Sequence, residues 1–310
     1  MCDEMTEFTE DFLADVAHQI QQSIAGQVRI DNTARLLYSS DASIYQIEPY
    51  GVIFPRIADD LNAIVEVCSQ AHTPLIVRGA GSGLTGGAIG RGWIVDCSRY
   101  LNQLLEIDPE ARTAVVAPGV VLNRLNREAA RFGLQFGPDP ASAERATLGG
   151  SMANNASGAH SICYGMCADH LLGVEVALSD ASTAMLEEVA LSDASRRFAA
   201  HSHREALLYQ AALTIREKHA AAIRSGWPRP WRRASGYNLN YLLPWSPTQP
   251  PRWTMQAEWG GVLGDGILPY PPVFANTLNL APLIAGSEGT LAVIRKAKVR
   301  LSPLPKHTIL

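Results

Sequence analysis

The 310 residues are 47% hydrophobic and 18% charged, so the chain can bury one large core or two small ones and disorder is not the default. A net charge of -4 gives no reason to expect nucleic acid or an anionic membrane surface; the basic stretch around Arg229, Arg232 and Arg233 is too local to change that. Five cysteines without a C-x-x-C pair, an acidic N-terminus and no apolar run of ~18 residues argue against a disulfide framework, a signal peptide and a membrane span, leaving a cytoplasmic protein as the expectation.

Residues 8–25 predict a lead helix, with Phe8, Phe12, Val16, Ile20 and Ile24 on one stripe. A βαβ unit follows. Residues 52–54 read as a strand, and Asp59 and Asp60 open a helix whose Leu61, Ile64, Val65 and Cys68 obey the i, i+3, i+4, i+7 rule. Residues 75–77 form the second strand, which empties into R-G-A-G-S-G-L-T-G-G over 78–87, five glycines in ten positions. Such a loop presents bare backbone N–H groups, for which a diphosphate is the usual partner. Several donors to one charged acceptor, at roughly 1.5–3 kcal/mol each, can hold it without a lysine.

Strand 93–96, a hairpin over 104–107 and 113–117, a helix over 123–132 and a turn at 136–140 come next. A second stretch of small residues covers 147–158, then a strand over 174–178 and a helix over about 204–223. Residues 245–275, rich in Pro, Gly and Trp, show no period. Strands are expected at 290–295 and 297–301.

Gly81, Gly83 and Gly86 satisfy G-x-G-x-x-G after a strand, yet a Rossmann unit is excluded. Its third glycine must lie in a helix returning to a parallel strand, with an acid about 20 residues on. Here Gly87, Gly90 and Gly92 follow, strand 93–96 comes too soon for a crossover helix, and Asp96 is too close to be the ribose acid. The loop is a phosphate cradle on another scaffold.

The second stretch, T-L-G-G-S-M-A-N-N-A-S-G over 147–158, lets backbone approach a flat ligand closely. Thr147, Ser151, Asn154, Asn155 and Ser157 offer hydroxyls and amides to a polar ring edge or ribityl chain. Taken with R-G-A-G-S-G-L-T (78–85), G-P-D-P-A-S (137–142), R-A-S-G-Y-N (233–238) and G-S-E-G-T-L (286–291), this order of motifs resembles the FAD-binding domain of the vanillyl-alcohol-oxidase, or PCMH-type, flavoproteins. Within that family it is most similar to the D-lactate, glycolate and D-2-hydroxyglutarate dehydrogenase branch. The segments Y-S-S-D-A-S-I-Y (38–45) and H-S-I-C-Y-G-M (160–166) look like the long bacterial members fused to an iron–sulfur region.

That resemblance spans roughly residues 35–305. It implies an α+β fold: a lead segment over 1–45, then a PCMH-type domain over 46–305. Within that domain a small βαβ subdomain covers about 46–100, and a larger mixed or antiparallel sheet with flanking helices covers 101–305. By position, Arg78, Gly79, Ala80, Gly81, Ser82, Gly83 and Leu84 would wrap the FAD pyrophosphate. Asp139, Pro140, Thr147, Gly149, Gly150, Asn154, Ser157 and Gly158 would line the ribityl and ring portion, with Glu288 near the same cofactor or simply a turn residue. Members with covalent flavin carry a histidine where this chain has Ser82, so non-covalent FAD is implied. Arg233 and Tyr237 are substrate-facing candidates, since a guanidinium pairs bidentately with a carboxylate, or else belong to a solvated turn. His160 is read as packed. No metal site is expected, because His201 and His203 would diverge on a helix.

The implied reaction is oxidation of a D-2-hydroxy acid by hydride transfer to FAD, with electrons passed to an acceptor outside the chain. In the resembling enzymes a catalytic base and metal-binding histidines belong to a cap domain that follows. The chain stops at Leu310 and lacks the cysteine clusters of an iron–sulfur relay, so a fragment, or a partner domain or subunit supplying those parts, is expected. The alternative is a non-catalytic flavin-binding subunit of a glycolate-oxidase-like complex.

Overall fold

The computed structural model describes residues 8–192, 203–228, 230, 232–234, 236–244, 273 and 276–305. Cys2, His201, Arg229 and all of the 245–275 stretch except Val273 lie outside these residues.

The lead helix α1 (Glu10–Ser23) starts at Thr9, whose side chain accepts from Phe12 N, and carries Glu10 and Asp11 in its first turn. It buries Val16, Ala17 and Ile20 against helix α3 (Ala58–Gln70), with Leu61, Ile64 and Val65 opposite. Between them come β1 (Gln27–Arg29), α2 (Asn32–Tyr38) and β2 (Gly51–Phe54). Asp60 is buried at the start of α3, where its carboxylate accepts from Arg56 N at 2.7 Å and Ala25 N at 2.9 Å. A buried carboxylate is tolerated when backbone donors satisfy it.

Strands β3 (Leu75–Arg78) and β4 (Trp93–Asp96) complete a four-stranded sheet in the order β1-β2-β4-β3. The strands β2, β3 and β4 run parallel, and β1 is antiparallel. Helix α3 is the crossover between β2 and β3. The glycine loop then joins β3 to its parallel neighbour β4 with no helix, as the short spacing to Trp93 requires.

A six-stranded antiparallel sheet follows, with strands β5 (Leu104–Asp108), β6 (Thr113–Val116), β8 (Leu171–Ala177), β9 (Thr183–Ala190), β10 (Thr277–Asn279) and β11 (Val293–Arg300). Their order is β10-β9-β8-β11-β6-β5. A two-residue β7 (Leu134–Gln135) pairs with β12 (Ser302–Pro303). The two strands expected over 290–301 are one: β11 shifts register between Ile294 and Lys296 and pairs with β8 on both sides of the bulge.

Helix α4 (Leu122–Ala129) and three short helices, α5 (Leu148–Ala153), α6 (Ser161–Tyr164) and α7 (Cys167–His170), precede β8. Helix α8 (His203–Gly226) packs Tyr209 on the sheet, its hydroxyl donating to Glu187 O at 2.7 Å. The stretch 147–158, legible in the sequence only as a run of small residues, holds α5. The main core gathers Val116, Leu125, Leu148, Met152, Val174 and Val299. A second core under α1 and α3 takes Ala177 and Val293 from the larger sheet, which ties the two sheets together. Among the described residues, no helix is long and apolar enough to cross a membrane.

Candidate cofactor-binding site

The glycine loop leaves β3 at Arg78 and immediately touches the second glycine-rich stretch. A Cβ on Gly79 would lie 2.0 Å from Thr147 Oγ1, and one on Gly83 would lie 3.5 Å from Asn154 Nδ2. Gly81 sits at a φ of 65°, the left-handed region, with a Cβ position 2.5 Å from Arg78 Nη2. The Arg78 guanidinium braces this turn by donating to Ser40 O at 2.9 Å and Ala88 O at 3.2 Å. The N–H groups of residues 79–84 donate to no carbonyl among the described residues. On a loop that is only partly buried, such donors are open to solvent or to a ligand.

Thr147 caps α5 and accepts from Gly150 N at 3.4 Å, and Gly149 has Pro118 too close for any side chain. The other end of α5 is closed by the loop 286–289. Gly286 N donates to Met152 O and Glu288 N donates to Ala153 O, each at 3.0 Å. The second satisfies a carbonyl the helix leaves open at its C-terminus, and the first adds to Met152 O, which also accepts from Asn155 N at 2.8 Å. Glu288 adopts a φ of 51°, an unusual conformation for a non-glycine residue.

These three segments enclose a cavity of about 330 Å³. Arg78, Gly79, Ala80, Gly81, Ser82, Gly83 and Leu84 line it from the glycine loop. Thr147, Gly149, Gly150, Asn154 and Glu288 line it from the other two segments, and Pro140 adds to the wall from the 137–142 turn. Among the lining residues only Arg78 and Glu288 carry charge, so backbone amides dominate the donor set.

The remaining predicted residues stand outside this wall. Asp139 pairs with His160, accepting from its backbone N–H at 3.1 Å and contacting its Nδ1. Gly158 is the floor under that pair, since its Cβ would fall 2.1 Å from Asp139 O and Oδ1. Ser157 accepts from Arg232 Nε at 3.0 Å. Arg233 lies over the Trp227 ring at 4.3 Å, and its carbonyl accepts from Asn155 Nδ2. Tyr237 is exposed, its hydroxyl 3.0 Å from Thr290 Oγ1. Asn155, read as a ligand-facing amide, is buried and instead accepts from Ala168 N at 2.9 Å.

The wall also contains residues that the sequence did not single out. Ser142 and Ser287 sit inside the quoted motifs, and that position is their only signal. Pro118, Val293 and Cys97 arrive through sheet topology and carry none. Burial, with Asp96 beside it, pushes the Cys97 thiol up to about 12, so it contributes an inert apolar surface. Among the described residues no group of three or more His, Cys, Asp or Glu side chains could hold a metal ion.

A family profile described as an FAD binding domain matches residues 49–186. D-2-hydroxyglutarate dehydrogenase of Pantoea ananatis is 33% identical over 296 residues, 92% of this chain and 25% of that protein. Glycolate oxidase subunit GlcD of Bacillus subtilis is 38% identical over 170 residues, 54% of this chain and 36% of its own. The chain thus spans about a quarter of the length of the first of these relatives. Among solved structures, an alkyldihydroxyacetonephosphate synthase superposes with a TM-score of 0.59 at 17% identity, over 99% of this chain and 43% of that one. 6-Hydroxy-D-nicotine oxidase of Arthrobacter nicotinovorans does so at 0.54 and 17%, over 92% and 44%. Residues 49–186 thus match the profile of an FAD binding domain, and the superpositions show that the α+β fold built around them is shared with those two solved structures.

Proposed function

We propose that this chain is the flavin-holding part of an oxidoreductase that acts on a D-2-hydroxy acid and hands electrons to an acceptor outside residues 1–310. The observation that carries this reading is the close approach of the two glycine-rich segments, Gly79 against Thr147, with Asn154 Nδ2 3.5 Å from where a Gly83 Cβ would stand, around one cavity that both segments line. Residues 79–84 hold the diphosphate of FAD. Thr147, Gly149, Gly150 and Asn154 lie along the ribityl and ring portion, with Glu288 at the far wall. Ser82 leaves attachment non-covalent. Bound FAD supplies a two-electron acceptor, while the protein contributes orientation and exclusion of water.

The substrate class rests on the printed names of the relatives, D-2-hydroxyglutarate dehydrogenase and glycolate oxidase subunit. In this reading Tyr237 and Arg233 flank the site on the side of the 286–289 loop, and the boundary between the two subdomains falls near residue 100. Further polypeptide or a partner subunit supplies the base and the electron relay, an iron–sulfur centre in our reading, and the assembly is cytoplasmic. The word "subunit" in the name of the Bacillus subtilis relative favours a second reading, a flavin carrier without its own substrate site.

Purified protein mixed with FAD and desalted should keep a yellow band that acid releases. Anaerobic addition of D-2-hydroxyglutarate, D-lactate or glycolate then tests for a substrate site within these residues: bleaching supports the first reading, and an unchanged band with all three fits the carrier and equally a first reading whose base lies in the further polypeptide. A colourless protein that cannot be loaded with FAD would overturn both.

A further inference from the structure

Asp96 is too near the glycine loop in sequence to be a ribose acid, yet it is a carboxylate only 5% exposed at the end of β4. Parallel pairing sets it in register with Arg78, the last residue of β3. Tyr38, at the end of α2, stands between them. Its hydroxyl donates to Asp96 Oδ2 at 2.5 Å, and the Arg78 guanidinium lies over its ring, 5.1 Å from the centroid. The other Asp96 oxygen accepts from Ser98 N at 2.7 Å and Ser98 Oγ at 2.6 Å.

At the opposite end of this chain of contacts, Arg78 Nη1 reaches Ala88 O at the end of the loop and Ser40 O on the segment that follows α2. The segment holding Ser40 also sends Ala42 N to Gly81 O at 2.9 Å. The loop therefore has its turn pressed against a guanidinium whose plane is set by a tyrosine ring, and that ring is anchored on a buried carboxylate. Cation–ring stacking is directional, as is a hydrogen bond to a carboxylate, so the array transmits orientation rather than bulk alone.

We infer that Asp96 and Tyr38 are positioning residues for the diphosphate-binding loop, acting through Arg78, an assignment that rests on reading the cavity as the FAD site. Neither residue touches the cavity. The Asp96 carboxylate fixes the Tyr38 ring, the ring fixes the Arg78 guanidinium, and the guanidinium ties the loop over 79–88 to Ser40 O and Ala88 O.

The test is a double-mutant cycle in FAD affinity, read by quenching of flavin fluorescence, on wild type, Tyr38→Phe, Arg78→Met and the double variant. Tyr38→Phe removes one hydroxyl and keeps the ring. It should raise the dissociation constant about tenfold, the scale of one lost hydrogen bond to a charged group. The melting temperature of the FAD-free protein serves as the folding control. In the Arg78→Met background the same change should have less than about a twofold effect, because the residue it acts through is gone. Should Tyr38→Phe fail to fold, Asp96→Asn, which keeps an acceptor, gives the same comparison with a smaller expected loss. Unchanged affinity in Tyr38→Phe, or an equal loss in both backgrounds, would overturn the inference. Wild-type protein that takes up no FAD would instead remove the reading on which it rests.

Discussion

At the scale of single residues, the glycines of the 78–87 loop are not equivalent. Gly79 has Thr147 Oγ1 at 2.0 Å from where a Cβ would be, whereas Gly87 has nothing within 4 Å. Gly79→Ala must push the two cavity walls apart; overpacking of this kind costs about 1–3 kcal/mol and here also displaces the donors. We expect Gly79→Ala to weaken FAD binding at least about tenfold and Gly87→Ala to leave it near wild type. Equal affinities of the two variants, by titration, would refute the idea that wall contact is what Gly79 secures. The glycine density was plain from the sequence, but which glycine is indispensable depends on a neighbour 68 positions away, and no local pattern records it. Asn155 makes the same point. Its amide looks like a ligand group in the sequence and is occupied by Ala168 N and Arg233 O in the fold.

At the scale of elements, periodicity was readable wherever one face is buried over three turns or an alternating run is long enough. That covers α1, α3 and α8, while the shorter α4 and the hairpin β5–β6 were legible from apolar runs between turn residues. It failed for β9, whose Ala184, Met185, Leu186, Glu187 and Glu188 are helix formers placed in a strand by pairing with β8 and β10. It failed for α5 because six residues containing two glycines have little helical tendency of their own; the Thr147 cap and the 286–289 loop hold them.

The bulge in β11 was also invisible in the sequence, and it has a use. Arg295, with a side chain 10% exposed, donates from Nε to Glu175 Oε1 at 2.9 Å on β8. From Nη2 it reaches Asp59 at 2.6 Å, and it also contacts Asn62 on α3, which bridges the larger sheet to the helix on the smaller one. Arg295→Met should lower stability by about 2 kcal/mol, less than for an isolated buried pair because Lys296 Nζ still lies 2.6 Å from Glu175. Burial pushes the Glu175 carboxyl up, but hydrogen bonds from Lys296 and Arg295 outweigh this and set it below its ordinary 4.5. Its stabilisation is therefore present above about pH 4.5 and lost as pH falls through the lowered folded value. In Arg295→Met that loss should begin at a higher pH. Urea midpoints measured from pH 7 to pH 4 would show it, and identical profiles for variant and wild type would rule the bridge out.

At the scale of the whole molecule, the cavity draws on 77–88 from the smaller sheet and on 140–156 and 284–294 from the larger one. The core beneath α1 and α3 already joins both sheets through Ala177 and Val293. A ligand gripped from both sides binds only when the two are docked, so its binding energy adds to the stability of the whole assembly. With free FAD at one hundred times its dissociation constant, linkage gives about 2.7 kcal/mol. For a chain of this size that corresponds to a rise of about 4 °C in the melting temperature. The rise should grow with the logarithm of FAD concentration and move one transition, followed equally by far-ultraviolet dichroism and by fluorescence of the buried Trp93 on β4 in a variant lacking the other tryptophans. If FAD raised the dichroism transition while Trp93 kept its ligand-free midpoint, the cofactor would be held by the larger sheet alone. The glycine loop would then have to serve some other phosphate.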